Sequence, residues 1–220
     1  MKIANRMENL SPSVTMAITA LARELKAQGK DILSFSAGEP DFDTPEIIKQ
    51  AAIKAINDGQ TKYTAVEGII ATKQAIINKL KKDHNLDYKL DNILISNGAK
   101  HSLFNLFQVL VEEGDEVIIP APYWVTYPEQ VKFSDGVPVF IDTDDSTEFK
   151  ITPEQLKAVI TPKTKVLLLN TPSNPTGSVY TKEELTALGK VLEGTDIIVL
   201  SDEMYEKIIY NGKKFTAAAE

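Results

Sequence analysis

Residues 165–180 read KVLLLNTPSNPTGSVY. Val166 to Asn170 have the length and apolar character of a buried strand, and the run stops at Thr171-Pro172-Ser173-Asn174-Pro175-Thr176-Gly177. Proline fixes φ and removes a backbone donor, and Gly177 admits positive φ, so the strand ends in a rigid, shaped loop. Asn174, held in that loop between two prolines, is the residue whose purpose the loop must explain.

Similar short runs flank this one: NILIS (92–96), EVIIP (116–120), VPVFID (137–142) and IIVLSD (197–202). They are aliphatic, often β-branched, and separated by helical or loop segments. Alternation of this kind predicts βα units, and hence an α/β fold with a mostly parallel sheet flanked by helices. Five helices are expected. Ser11–Gly29 carries Val14, Ile18, Leu21, Ala22 and Leu25 at helical spacing, with Gly29 at the C′ position. Thr44-Pro45-Glu46 opens the second, with Thr44 as N-cap and Pro45 at N1. Glu67–Lys82, Ser102–Val111 and Thr181–Leu192 follow, the last started by a capping box of Thr181 and Glu184. DILSFSAGEPDFDTP (31–45) reads as a short strand entering a loop.

Composition sets the outer limits. A chain of 220 residues with 43% hydrophobic and 25% charged residues can bury a real core. Its net charge of -7 argues against a nucleic-acid surface. There is no cysteine, which excludes disulfides and thiolate chemistry, and His84 and His101 are the only histidines, so no metal site is expected. The first residues, MKIANRMENLSPSVTM, have no apolar core of a secretory signal, and no run approaches membrane-spanning length. The sequon Asn9-Leu10-Ser11 is then a chance match, and a cytoplasmic protein without membrane partners is expected.

In open parallel sheets ligands sit beyond the carboxyl ends of the strands. The residues after these runs are Ser96-Asn97-Gly98-Ala99-Lys100 opening a helix, Pro122-Tyr123-Trp124, the Asn174 loop, and Asp202-Glu203-Met204-Tyr205. Each has a plain structural use: a strand-to-helix turn, a packing indole, a loop amide bonding its own backbone, an aspartate N-cap. Taken together they suit a ligand with a phosphate, a flat ring and a ring nitrogen. The helix N-terminus holds phosphate, the indole stacks, the carboxylate keeps the ring nitrogen protonated, and the amide and phenol bond a ring oxygen. That describes pyridoxal 5′-phosphate, whose protonated pyridine is an electron sink. No G-x-G-x-x-G or Walker lysine motif points to a nucleotide instead.

Six segments carry a resemblance: SAGEPDFDTP (36–45), TKYTAVEG (61–68), NGAKHSLFNLF (97–107), PAPYWVTYP (120–128), NTPSNPTG (170–177) and LSDEMYE (200–206). Together, and in this order, they resemble the class I, fold type I aminotransferases, with the bacterial aspartate aminotransferases as the nearest branch. The resemblance implies the type I fold, with an N-terminal arm and small-domain segment over 1–45 and an incomplete large domain over 46–220. It implies pyridoxal phosphate bound by Gly98, Ala99 and Lys100 at the phosphate, Trp124 on the ring, Asp202 at the ring nitrogen, and Asn174 and Tyr205 at the 3-oxygen. It places Gly38, Trp124, Asn174 and Lys100 at the substrate, with Lys100 toward a distal carboxylate. Tyr63 would reach the phosphate of a neighbouring subunit, implying a homodimer with shared active sites. It also implies a cis Asn174–Pro175 bond.

The implied activity is ping-pong transamination between L-aspartate and 2-oxoglutarate. Other donors, aromatic or alanine-like, remain open, as do a non-catalytic module of the same fold and a truncated reading frame. The family's Schiff-base lysine and its C-terminal arginine have no counterpart here, and Lys207, Lys213 and Lys214 lack the expected context. The chain is therefore expected to be an N-terminal portion that holds most of the cofactor bed and is inactive alone.

Overall fold

A computed structural model describes residues 3–12, 14–33, 38 and 42–220. In chain order the elements are α1 (Val14–Ala27), α2 (Glu46–Asn57), α3 (Ile70–His84), α4 (Ala99–Leu110), β1 (Glu116–Ala121), α5 (Thr126–Phe133), β2 (Val137–Asp142), α6 (Pro153–Val159), β3 (Thr164–Asn170), α7 (Lys182–Leu192) and β4 (Ile198–Asp202). The four strands form one sheet in the order β2-β1-β3-β4, and every pairing is parallel.

Side chains alternate across a strand, so each buried strand feeds two cores. On one face Val117, Ile119, Val166, Leu168 and Leu200 pack with Leu103 and Phe107 of α4 and Tyr127 and Val131 of α5. On the other face Ile118, Ile141, Leu167 and Leu169 pack with Leu156 of α6 and Leu188 of α7. Burying a side chain of this kind contributes roughly 1.5–3 kcal/mol, which makes the double-faced sheet the main source of stability. The chain leaves β1 through α5 to β2, then returns past β1 through α6 to β3. Parallel crossovers share one hand, so this reversal puts α5 and α6 on opposite faces and opens a crevice where β1 and β3 end.

Several expectations are met in detail. Thr181 and Glu184 form the capping box of α7. Gly29 closes α1 with its N–H on the Lys26 carbonyl, and Lys30 N–H reaches Leu25, the paired bonds of a Schellman motif. The Asn174–Pro175 bond is cis, as are Ala121–Pro122 and Thr171–Pro172.

Others need correction. The run NILIS is not a strand; among the described residues its one ladder-like bond is Ile95 N–H to the Glu67 carbonyl. An apolar run becomes a strand only beside another edge, and this one has none among the described residues. α3 starts at Ile70, not Glu67, because Gly68 sits at φ 102°, where a helix cannot begin and a Cβ would collide with Ile95. α4 starts at Ala99, ahead of Ser102. α1 starts at Val14 rather than Ser11, whose N–H donates to the Glu129 carboxylate at 2.7 Å. α2 starts at Glu46. Pro45, extended at ψ 140°, takes the cap position, and Thr44 does not cap it. The strand expected within 31–45 is not formed by its described residues 31–33, 38 and 42–45, and the remainder, 34–37 and 39–41, lies outside the described residues. α2 buries none of its residues; Ile47 is 81% exposed.

Candidate active site

The carboxyl ends of β3 and β4 are in register, Asn170 opposite Asp202. Both strands stop here because Pro172 cannot continue a ladder and Asp202 starts a turn, its Oδ1 accepting the Met204 N–H at 3.2 Å. The other carboxylate oxygen, Oδ2, accepts the Tyr127 hydroxyl at 2.8 Å. Tyr127 is 1% exposed. Burial, with the negative Asp202 beside it, pushes its pKa far above the usual tyrosine value, so it stays a phenol and a donor.

Tyr127 belongs to the first turn of α5, three residues after Trp124, and the two rings meet edge to face at 5.3 Å. The Lys100 ammonium lies over the indole, 4.8 Å from its centre. Lys100 also places the start of α4 at this edge, and Gln130 of α5 donates to its carbonyl at 2.9 Å. Gly98 precedes α4 with φ 81°, and the first-turn N–H groups of Ala99 and Lys100 point away from the helix body. Asn97 N–H donates to His101 Nδ1 at 3.2 Å, which gives His101 a local structural role.

Asn174 reaches the same edge from β3. Its N–H donates to Asn170 Oδ1 at 2.7 Å, and its Nδ2 lies 3.5 Å from the Tyr205 hydroxyl. Pro122, Tyr123, Tyr127, Asn170, Ser173 and Asn174 line a cleft between the ends of β1 and β3. Asp202, Tyr205, Asn174, Trp124, Lys100 and Ala99 are thus gathered at one rim of the sheet. Gly38 and Tyr63 are not: both are exposed, and neither touches this group among the described residues. Tyr127 and Asn170 escaped the sequence reading. The i,i+3 spacing from Trp124 was the available signal for Tyr127; Asn170 had none beyond ending a strand.

The donor set fits a phosphorylated, flat, nitrogen-bearing ligand. A helix N-terminus, an indole, a carboxylate, an amide and a phenol lie along one edge of the sheet, with Asn174 alone of the expected residues lining the cleft, and Asn174 Nδ2, whose contact with the Tyr205 hydroxyl is a long 3.5 Å, retains unused bonding capacity. Lys207 and Lys213 are engaged elsewhere, with Asp83 at 2.7 Å and Glu148 at 3.2 Å. Asp83, His84 and Glu206 bring three potential metal-ligand atoms within 4.8 Å of one another, but Lys207 and Lys79 already occupy the two carboxylates.

The family model for class I and II aminotransferases matches residues 30–220. The chain belongs to that family. An aspartate aminotransferase of Geobacillus stearothermophilus is 55% identical over 220 residues, covering all of this chain and 56% of its own length. That of Bacillus subtilis (strain 168) is 53% identical with the same coverage. The crystal structure of the aspartate aminotransferase from Rhizobium meliloti superposes with a TM-score of 0.95 at 44% identity, over all of this chain and 55% of that one. The chain therefore has the fold expected of type I, and it spans about half the length of the curated relatives it matches.

Proposed function

We propose that residues 1–220 provide the cofactor bed of a pyridoxal-phosphate-dependent aminotransferase that passes the amino group of L-aspartate to 2-oxoglutarate. The observation carrying this reading is the meeting of Asp202, Asn174 and Tyr205 at the paired ends of β3 and β4, beside Trp124. Relatives named aspartate aminotransferase support the choice of amino acid.

Bound here, pyridoxal phosphate supplies a protonated ring that withdraws electrons from a substrate carbanion. The chain's own residues do the rest. Ala99 and Lys100 N–H groups, after Gly98, take the phosphate at the positive end of α4. Trp124 stacks on the ring and keeps water from that face. Asp202 holds the proton on the ring nitrogen, because an opposite charge favours the protonated form. Asn174 and Tyr205 bond the 3-oxygen. Asn174 and the Gly38 backbone orient the substrate α-carboxylate, and the Lys100 ammonium takes the distal carboxylate.

Tyr63, fully exposed here, fits a role at the phosphate of a partner subunit in a homodimer. Division at residue 45 into an arm with small-domain segment and a large-domain part belongs to the same reading. So does a cytoplasmic location, supported by the finding that no described helix is long and apolar enough to cross a membrane.

Asp202→Ala in the complete gene product is the decisive variant. It should lose pyridoxal phosphate affinity and transamination by orders of magnitude, whereas full activity without the carboxylate rejects the assignment. A panel of amino donors tests the substrate: aspartate should lead, and a better aromatic or alanine-type donor moves the enzyme to another branch.

A further inference from the structure

Asn170 has no role in the reading above, yet its side chain touches the backbone of both residues that the reading places at two different atoms of the ring. Its Nδ2 donates to the Asp202 carbonyl at 2.9 Å, and its Oδ1 accepts the Asn174 N–H at 2.7 Å. We propose that Asn170 is a positioning residue that locks the Asp202 carboxylate and the Asn174 amide into one rigid unit. This rests on Asp202 and Asn174 being cofactor-contacting residues.

Only a carboxamide makes both bonds at once. Aspartate keeps the acceptor but has no donor, serine is too short, and aliphatic residues offer neither. The network also fixes which way the amide faces. Reversed, it would set its NH₂ against the Asn174 N–H and its oxygen against the Asp202 carbonyl, with both contacts repulsive. Asp202 is the more firmly held because Thr171 N–H, from a fully buried residue, donates to the same carbonyl at 3.1 Å. Asn174 is four residues further along a loop whose prolines cannot donate, so the Asn170 oxygen supplies the acceptor that anchors its backbone.

The two arms continue into functional side chains. From Asp202 the carboxylate runs to Tyr127, and from Asn174 the amide runs to Tyr205. Moving the backbone that carries the acid relative to the backbone that carries the amide therefore requires breaking a bond to Asn170. Groups that must contact different atoms of one small planar ligand gain from such coupling, because a displacement of about 1 Å can cost a hundredfold in rate.

Two measurements test this. In the first, amide exchange is followed by NMR in the chain without ligand. Asn170→Ala should speed exchange of the Asn174 N–H at least tenfold while strand amides such as that of Leu168 stay unchanged. Asn170→Asp, which keeps the acceptor, should preserve Asn174 protection. Unchanged Asn174 exchange in Asn170→Ala overturns the proposal.

In the second, pyridoxal phosphate is titrated into the complete gene product and its absorbance followed. Asn170→Ala and Asn170→Asp should each weaken binding at least tenfold. The loss in Asn170→Ala/Asn174→Ala should fall short of the product of the two single losses, because Asn170 then acts only through Asp202. Affinity within twofold of wild type in either single variant, or losses that multiply in the double variant, overturns the coupling. Should Asn170→Ala fail to fold, Asn170→Asp decides alone by the same criterion. A wild-type protein that does not bind the probe rejects the proposed function and the ligand side of this inference, and the exchange result then judges the structural coupling by itself.

Discussion

Tyr127 donates its hydroxyl proton to Oδ2 of Asp202 across 2.8 Å, although 75 positions separate the two residues in the chain. The bond joins the start of α5 to the end of β4 over the top of β1 and β3. It gives the carboxylate a neutral, buried partner that neither competes for its charge nor titrates near neutral pH.

Tyr127→Phe keeps the ring against Trp124 and deletes only that donor. Leaving the Asp202 oxygen with one partner fewer should cost about 1–3 kcal/mol in urea unfolding. Pyridoxal phosphate affinity should fall several-fold, while the emission of Trp124, the only tryptophan, is unchanged in the free protein. Wild-type stability and affinity together would show that the hydroxyl does nothing for Asp202.

Alkali offers a second check on the same burial. Tyr127 is raised far above the ordinary tyrosine pKa, and burial pushes Tyr180 up to about 12. Both values are raised relative to the unfolded chain, so the stability they confer is complete below about pH 10 and is lost as pH rises further. At pH 11 the native protein should lack the 295 nm phenolate absorbance of these two residues, and unfolding it in denaturant at that pH should release it.

Glu184 both caps α7, accepting the Thr181 N–H at 2.7 Å, and binds the Lys150 ammonium at 2.6 Å. Burial opposes its charge, but Lys150 and the Thr181 bonds prevail and its pKa is lowered. A lowered carboxylate pKa stabilises the fold above about pH 4.3, and that contribution disappears as pH falls through the folded value. Glu184→Gln retains the cap and removes the charge. It should cost about 1 kcal/mol at pH 7, where Glu184 is partly exposed to water although Lys150 is buried, and less as pH falls below about 4.3, as read from denaturant midpoints.

The two faces of the chain should differ sharply in sensitivity to truncation. Leu167→Ala empties a site with no solvent exposure, between β3 and the α6–α7 layer, and should cost about 2–5 kcal/mol. Ile47→Ala, on the bare surface of α2, should change stability by about 0.5 kcal/mol or less in this chain. Thermal or urea unfolding separates the two.

Much of this architecture was legible in residue order because its signals are local. Runs such as KVLLLN declare strands through their own composition, and Thr181 with Glu184 declares a helix start three residues apart. α6 carried the same signal, Thr152-Pro153-Glu154-Gln155, and forms the same capping box, yet its short apolar pattern did not announce a helix. NILIS failed in the opposite sense. Its composition is that of a strand, but composition does not supply the neighbouring edge that a strand needs.

The sequence by itself determined the alternation of strand and helix, the two-faced core of a parallel sheet, and the residue types collected at its carboxyl edge. These follow from period, propensity and the uniform direction of parallel strands. Only the tertiary structure decided the strand order β2-β1-β3-β4, the partnership of Tyr127 with Asp202, and the bridging place of Asn170. Such pairings depend on which distant segments the two cores bring together, and hydrogen-bond capacity alone does not distinguish one buried tyrosine or asparagine from another.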